Sequence, residues 1–254
     1  MKLGIIQGRL SPPVEGFQET PANWKKEFEL LPKLGLNHIE WVVTKKSFAT
    51  NPLFTQDISD YTDNISAICA DNIIDPNFYK GDYLETNLGK ICHYAWQYKI
   101  NNIVIPLLEE SSVVNFTKKV LFKQQLSYYS RKYSDINFIL EIESDVIIAR
   151  ELADLASNIY LVYDTGNLTT LKVDHEYYIN MSSDKIANVH LKDRVKGKTT
   201  TVEPGEGGTN FDSIFKTLNK NNYSGLFTLQ TARGKDGDEI ETIKKHINYF
   251  KQYE

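Results

Sequence analysis

Eight short apolar runs recur along the chain at a spacing of roughly 32 residues, the length of one strand–helix unit. They are Leu3–Gln7, His38–Val43, Asn64–Ala70, Asn102–Pro106, Ile136–Glu141, Ile159–Tyr163, Ala187–Leu191 and Leu226–Gln230. Helical patterns separate nearly all of them. Trp24, Phe28, Leu31 and Leu34 form one stripe, closed by Gly35 as a helix end often is. Leu84, Leu88, Ile91, Ala95 and Tyr98 form another, as do Phe211, Ile214, Phe215 and Leu218, and Ile240, Ile243, Ile247 and Phe250. The stretch around Pro52 is less regular, and a helix at 174–183 is short. Strand–helix alternation implies a parallel sheet. Eight units suit a closed sheet, so the expected fold is an α/β (βα)8 TIM barrel, one domain over residues 1–254. An open doubly wound sheet usually carries a Gly-rich phosphate turn after its first strand. Here that turn is Gln7-Gly8-Arg9-Leu10-Ser11-Pro12-Pro13, neither a dinucleotide fingerprint nor a P-loop.

Composition narrows the partners. Lys and Arg number 29 against 33 Asp and Glu, a net charge of -4, so nothing draws the chain broadly to nucleic acid or an anionic membrane. No run approaches the roughly 18 apolar residues of a membrane span. Two cysteines, Cys69 and Cys92, are too few for a disulfide framework and fit a reducing compartment. The expectation is a cytoplasmic globular protein.

In such barrels chemistry sits at the C-terminal ends of the strands. Reading those ends gives Glu40, Glu141, Asp164, His190 and Gln230. Any one alone is more often a helix cap, a turn residue or a hydrogen-bonded core histidine. Their occurrence at four consecutive strand ends, five to eight, favours a site. Glu141, Asp164 and His190 make an oxygen, oxygen and nitrogen ligand set, and the amide oxygen of Gln230 adds a neutral fourth. That set suits one divalent ion, Mn, Mg, Co or Zn. Lys192 shares strand parity with His190 and is expected to face the pocket, where it can neutralise an enolate oxygen. Arg9 and Arg233 are candidates for gripping an anionic group. The backbone amides of Pro204-Gly205-Glu206-Gly207-Gly208 are candidates for cradling one.

Several short stretches carry a family likeness: Gln7-Gly8-Arg9-Leu10-Ser11-Pro12, Ile39-Glu40-Trp41, Cys69-Ala70-Asp71, Leu140-Glu141, Tyr163-Asp164-Thr165-Gly166-Asn167, His190-Leu191-Lys192-Asp193-Arg194, Pro204-Gly205-Glu206-Gly207-Gly208 and Leu229-Gln230-Thr231-Ala232-Arg233. By their order and spacing the chain resembles the xylose isomerase-like TIM barrel superfamily, in its sugar phosphate isomerase/epimerase branch. The resemblance implies one metal held at positions 141, 164, 190 and 230, and an arginine just after the ligating histidine that grips substrate, here Arg194. It also implies proton transfer by two glutamates. Gln230 stands where the second would be, and Asn167 where many relatives carry histidine.

Those departures bear on the reaction. Glu141 and Asp164 ionised balance a divalent ion, whereas a second glutamate would weaken it as a Lewis acid. Inverting a carbon needs bases on two faces, but aldose–ketose exchange through a cis-enediolate needs one. The expected activity is therefore metal-dependent isomerisation or epimerisation of a sugar or sugar phosphate, with Glu141 as base and Lys192 as its catalytic partner. Glu40, Asn167, Arg194 and Arg233 are the expected substrate contacts. Glu40, Glu109 and Glu143 are candidates to replace the missing base, and Trp41 is a candidate wall of the sugar site. A dehydratase or lyase starting from the same proton abstraction, a non-catalytic sugar-binding barrel and an abasic-site endonuclease are the alternatives. With five histidines, of which only His190 holds a convincing ligand position, and a net charge of -4, the last is disfavoured. Oligomeric state is left open, a homo-oligomer included.

Overall fold

The eight short apolar runs become eight parallel strands closed into a barrel, buried on both faces as a helix-covered parallel sheet is. The computed structural model describes residues 1–14, 19–55, 58–235 and 237–254. In chain order its elements are β1 (Lys2–Ile6), α1 (Lys25–Leu34), β2 (Ile39–Val42), α2 (Pro52–Thr55), β3 (Ile65–Cys69), α3 (Lys90–Tyr98) and β4 (Asn102–Leu107). Then come α4 (Phe116–Lys132), β5 (Asn137–Ile142), α5 (Val146–Ala153), β6 (Ile159–Asp164), α6 (Thr165–Thr170), α7 (His175–Ser182) and β7 (Ile186–Leu191). A small antiparallel pair, β8 (Asp193–Arg194) and β9 (Thr201–Val202), precedes α8 (Phe211–Lys220), β10 (Leu226–Leu229) and α9 (Glu239–Phe250). Around the barrel the order is β1, β10, β7, β6, β5, β4, β3, β2, with β2 pairing back to β1.

This is a (βα)8 TIM barrel, as the strand spacing implies. Its irregular unit lies where the sequence is irregular. Among the described residues, the four-residue α2 and a 3-10 turn at Ser59–Asn64 are the helical elements between β2 and β3. The β8–β9 hairpin has no signature in the apolar pattern, being two residues a side and outside the barrel.

Strand parity sorts the side chains into two layers. Outside, Trp41, Phe138 and Tyr163 pack beneath the helices. Inside, Ile6, Val42, Ala67, Cys69, Val104, Ile139 and Val162 fill part of the barrel. Trp41 thus lies on the opposite face of β2 from Glu40. It is buried against Trp24 and Phe28, and its Nε1 donates to Asn51 Oδ1 at 2.9 Å, so it forms core and no wall of the site. At the top, buried Glu27 of α1 accepts from the backbone N–H groups of Gly8 (2.7 Å) and Leu10 (3.1 Å), which pins the turn after β1. Among the described residues no helix is long and apolar enough to cross a membrane.

Candidate metal and acid–base site

Four strand ends bring the polar residues together. Register sets Asp164 of β6 beside His190 of β7, and His190 beside Thr228 of β10. Ligand atoms of Glu141, Asp164 and His190 all lie within 4.8 Å of one another, and all three residues are buried.

Each side chain is held by a partner that fixes its orientation. Asp164 caps α6, its Oδ1 accepting from Asn167 N–H at 2.7 Å. Its Oδ2 accepts from Lys192 Nζ at 2.9 Å. The helix-cap role and the site role therefore coexist in one carboxylate. Asn167 Nδ2 donates to Glu141 Oε1 at 3.0 Å. Lys192 crosses Gly166 so closely that a Cβ there would stand 2.8 Å from its Cγ, which is why the Asp164-Thr165-Gly166 turn needs glycine. His190 Nε2 donates to Glu40 Oε2 at 2.9 Å, and Asn188 Nδ2 donates to the same oxygen at 3.0 Å. This leaves His190 Nδ1 facing Glu141 Oε2 at 4.0 Å with no hydrogen-bond partner. Gln230 Oε1 is likewise buried and unpartnered. A buried acceptor without a donor is costly. Two such acceptors beside two carboxylates are what a cation would satisfy, so the residues present fit a divalent metal.

The electrostatics point the same way. Burial lowers the His190 pKa, but the charge and hydrogen bond of Glu40, with Glu141 and Asp164, outweigh it and hold the group at about 9. Burial raises Glu141 to about 7, opposed by His190 and reinforced by Asp164. Burial also acts to raise Asp164, but Lys192 and His190 prevail and lower it. The cluster is a concentration of negative charge that draws in protons or cations.

Above it opens a cavity of about 100 Å³. Glu141, Asn167, Lys192, Arg194 and Gln230 line it, as do Glu109 and Glu143. Two expected substrate contacts sit elsewhere. Glu40 is fully buried behind His190, because β2 presents it deep inside the barrel. Arg233 turns back toward the loop after β1, where its Nη1 donates to Ser11 O at 3.3 Å. Nor are the amides of the 204–208 turn available for an anion. Asp193 Oδ2 accepts from Gly205 and Gly207 N–H, both at 2.9 Å, and Oδ1 from Thr209 N–H at 3.1 Å. Asp71 also lines the cavity; its only sequence signal is the run Cys69-Ala70-Asp71 just past β3. Asn188 was findable, lying two residues before His190 on the same strand face.

The molecule is a closed (βα)8 barrel with a buried carboxylate–carboxylate–imidazole group, able to hold a metal ion, at its strand ends. Residues 132–253, just under half of the chain, match the family described as xylose isomerase-like TIM barrel, to which this chain is similar. SgbU of Escherichia coli strain K12, named provisionally as an L-ribulose-5-phosphate 3-epimerase, is 40% identical over 91 residues, 32% of this chain and 32% of its own length. An inosose dehydratase of Clostridium perfringens (strain ATCC 13124) is 29% identical over 122 residues, 40% of this chain and 41% of its own. The matched segment thus spans about a third to two fifths of these curated relatives. Over the whole barrel the chain superposes on the IolI protein, solved with a binding zinc atom, with TM-score 0.73 and 19% identity, covering 100% of this chain and 99% of that one. Its relatives are enzymes of the epimerase and dehydratase kinds.

Proposed function

We propose that this chain is an enzyme that moves a proton at the carbon next to the carbonyl of a sugar or related polyol ketone, with Glu141 as base. The observation that carries the reading is the convergence of Glu141, Asp164 and His190 within 4.8 Å, with His190 Nδ1 and Gln230 Oε1 left unpartnered beside them. These four residues would hold the divalent cation. When bound, the cation supplies a Lewis acid that polarises the carbonyl. Zinc in the IolI structure and the mixed oxygen and nitrogen donors here favour zinc or manganese.

Glu141 is matched to its task. Without a cation, burial raises this carboxyl to about 7; a cation held beside it would lower it and keep Glu141 as the ionised carboxylate that a base must be. Asn167 holds the carboxylate in place through Oε1. Lys192, at the cavity wall, can neutralise an oxygen that gains charge as the proton leaves. Gln230 offers no second base, which favours return of the proton on the face from which it came, as in aldose–ketose isomerisation; Glu109 and Glu143, which line the cavity, are the carboxylates placed to act as a second base in an epimerisation. Glu40 acts through His190 as a positioning residue. Substituting Glu141→Gln tests the reading. Loss of solvent deuterium incorporation by 10²–10⁴-fold, about the contribution of a positioned base, is expected. Exchange at the wild-type rate would remove Glu141 from the role.

One observation favours a second reading, dehydration. Asp71 lines the same cavity, and burial, then Glu109 and Glu19, raise it to about 6, so it takes up a proton more readily than an ordinary aspartate and is placed to pass it to a leaving hydroxyl. Analysis of products by NMR separates the two: loss of water from a ketone substrate marks the dehydratase.

A further inference from the structure

The walls of the cavity also bear on the charge of what enters it, an inference that rests on the reading of the site just proposed. We infer that the substrate is a neutral polyhydroxy compound with no phosphate or other anionic group.

Four carboxylates line the cavity, Asp71, Glu109, Glu141 and Glu143, against two cations, Lys192 and Arg194. A divalent ion balanced by Glu141 and Asp164 still leaves three carboxylates facing two cations. Lys192 Nζ is 2.9 Å from Asp164 Oδ2, while Arg194 Nη1 stands 3.9 Å from Glu143 Oε1 and its Nε is buried without a hydrogen-bond partner, a donor that a substrate hydroxyl can satisfy. A phosphate reaching Lys192 would compete with Asp164, and one reaching Arg194 would approach Glu143, Asp71 and Glu109, whose like charges repel it.

The usual phosphate receivers of this fold are committed elsewhere. The amides of the 204–208 turn, beside the last strands where barrels often bind phosphate, go to the Asp193 carboxylate. A Cβ at Gly207 would collide with that carboxylate, so the turn is shaped around it. Arg9 is buried, its Nε donating to Thr231 O at 3.2 Å, and Arg233 donates to Ser11 O. Neither lines the cavity. What the wall does offer suits hydroxyls. Ionised carboxylates are pure acceptors and hydroxyl groups are donors. The apolar wall of Ile6, Val42, Pro106 and Leu108 suits the C–H face of a carbon chain or ring.

The test uses the full chain loaded with Mn²⁺ and matched probes: D-fructose and fructose 6-phosphate, D-ribulose and ribulose 5-phosphate, an inosose, and inorganic phosphate. Calorimetry reads affinity and NMR in deuterated water reads exchange. The neutral member of a pair should bind at least about tenfold tighter, and inorganic phosphate at about 1 mM should give no response. The double variant Asp71→Asn, Glu109→Gln should narrow the gap by binding the phosphate ester severalfold better. Equal or tighter binding of the ester, phosphate binding, or no binding by any probe overturns the inference. Neutral-selective binding without exchange upholds it and overturns the proton-transfer reading. Exchange confined to the esters does the reverse.

Discussion

Glu40 and His190, 150 residues apart, meet inside the barrel with Oε2 2.9 Å from Nε2. The bond turns the other imidazole nitrogen toward Glu141, the arrangement by which carboxylates orient metal-binding histidines. Asn188 donates to the same oxygen and holds Glu40 in turn. Glu40→Gln should lower affinity for a divalent cation by about 10–100-fold, the usual effect of losing such a partner. A competitive titration against a chelator reads it, with circular dichroism to check the fold. Unchanged affinity would show that Glu40 does not orient His190 for a metal.

Gln230 makes the donor set two carboxylates and two neutral atoms. Gln230→Glu adds a third negative charge close to any cation bound there. It should tighten divalent metal binding by about tenfold and slow turnover, because a more neutralised ion polarises a carbonyl less. Metal titration and initial rates test this together; weaker metal binding would contradict the placement of the Gln230 oxygen in the donor set.

His38 lies over Gly4, with Nε2 3.2 Å from Thr228 Oγ1. Burial, only partly offset by Glu40, lowers its pKa from 6.5 to about 4. The unfolded chain therefore binds a proton that the folded chain refuses between these values, and stability rises with pH across that window. The contribution is complete above pH 6.5 and is lost as pH falls toward 4, about 3 kcal/mol at the limit. Urea unfolding from pH 7 to 4.5 should show this fall, and His38→Gln should flatten it. An equally steep fall in the variant would assign the effect to other groups.

Asp193 satisfies three backbone N–H groups of the segment from Gly205 to Thr209. Asp193→Ala leaves them without an acceptor in a partly buried place, which should destabilise the fold by about 2–4 kcal/mol. Asp193→Asn, able to accept through one oxygen only, should fall between. A shift of the urea midpoint measures both, and an alanine variant as stable as the wild type would mean that water replaces the carboxylate.

The barrel was legible in the chain because a parallel sheet covered by helices demands apolar runs at regular spacing, and Leu3–Gln7 through Leu226–Gln230 supply them. Glu141, Asp164 and His190 were legible because charge at the end of an apolar strand is conspicuous. Their roles rest on the proposal above. Trp41 was misread because an aromatic beside Glu40 shows no facing of its own until strand parity puts it outward, against Trp24 and Phe28. Asp71 was obscure because it lies in a connection, where no period marks direction, while Glu109, also in a connection, was named as a candidate base without any sign of where it points. Glu109 even takes a positive φ of 47°, which nothing in its neighbours announces.

Sequence by itself determined the number of strands, their alternation with helices and which strand ends carry polar groups, since hydrophobic periodicity and chain order are local properties. Tertiary structure decided which polar groups face each other. It committed the glycine-rich turn to Asp193, sent Arg233 to Ser11, and set Glu40 behind His190. Those pairings depend on closure of the barrel, which brings together residues far apart in the chain, and on the need of each buried donor and acceptor for a partner.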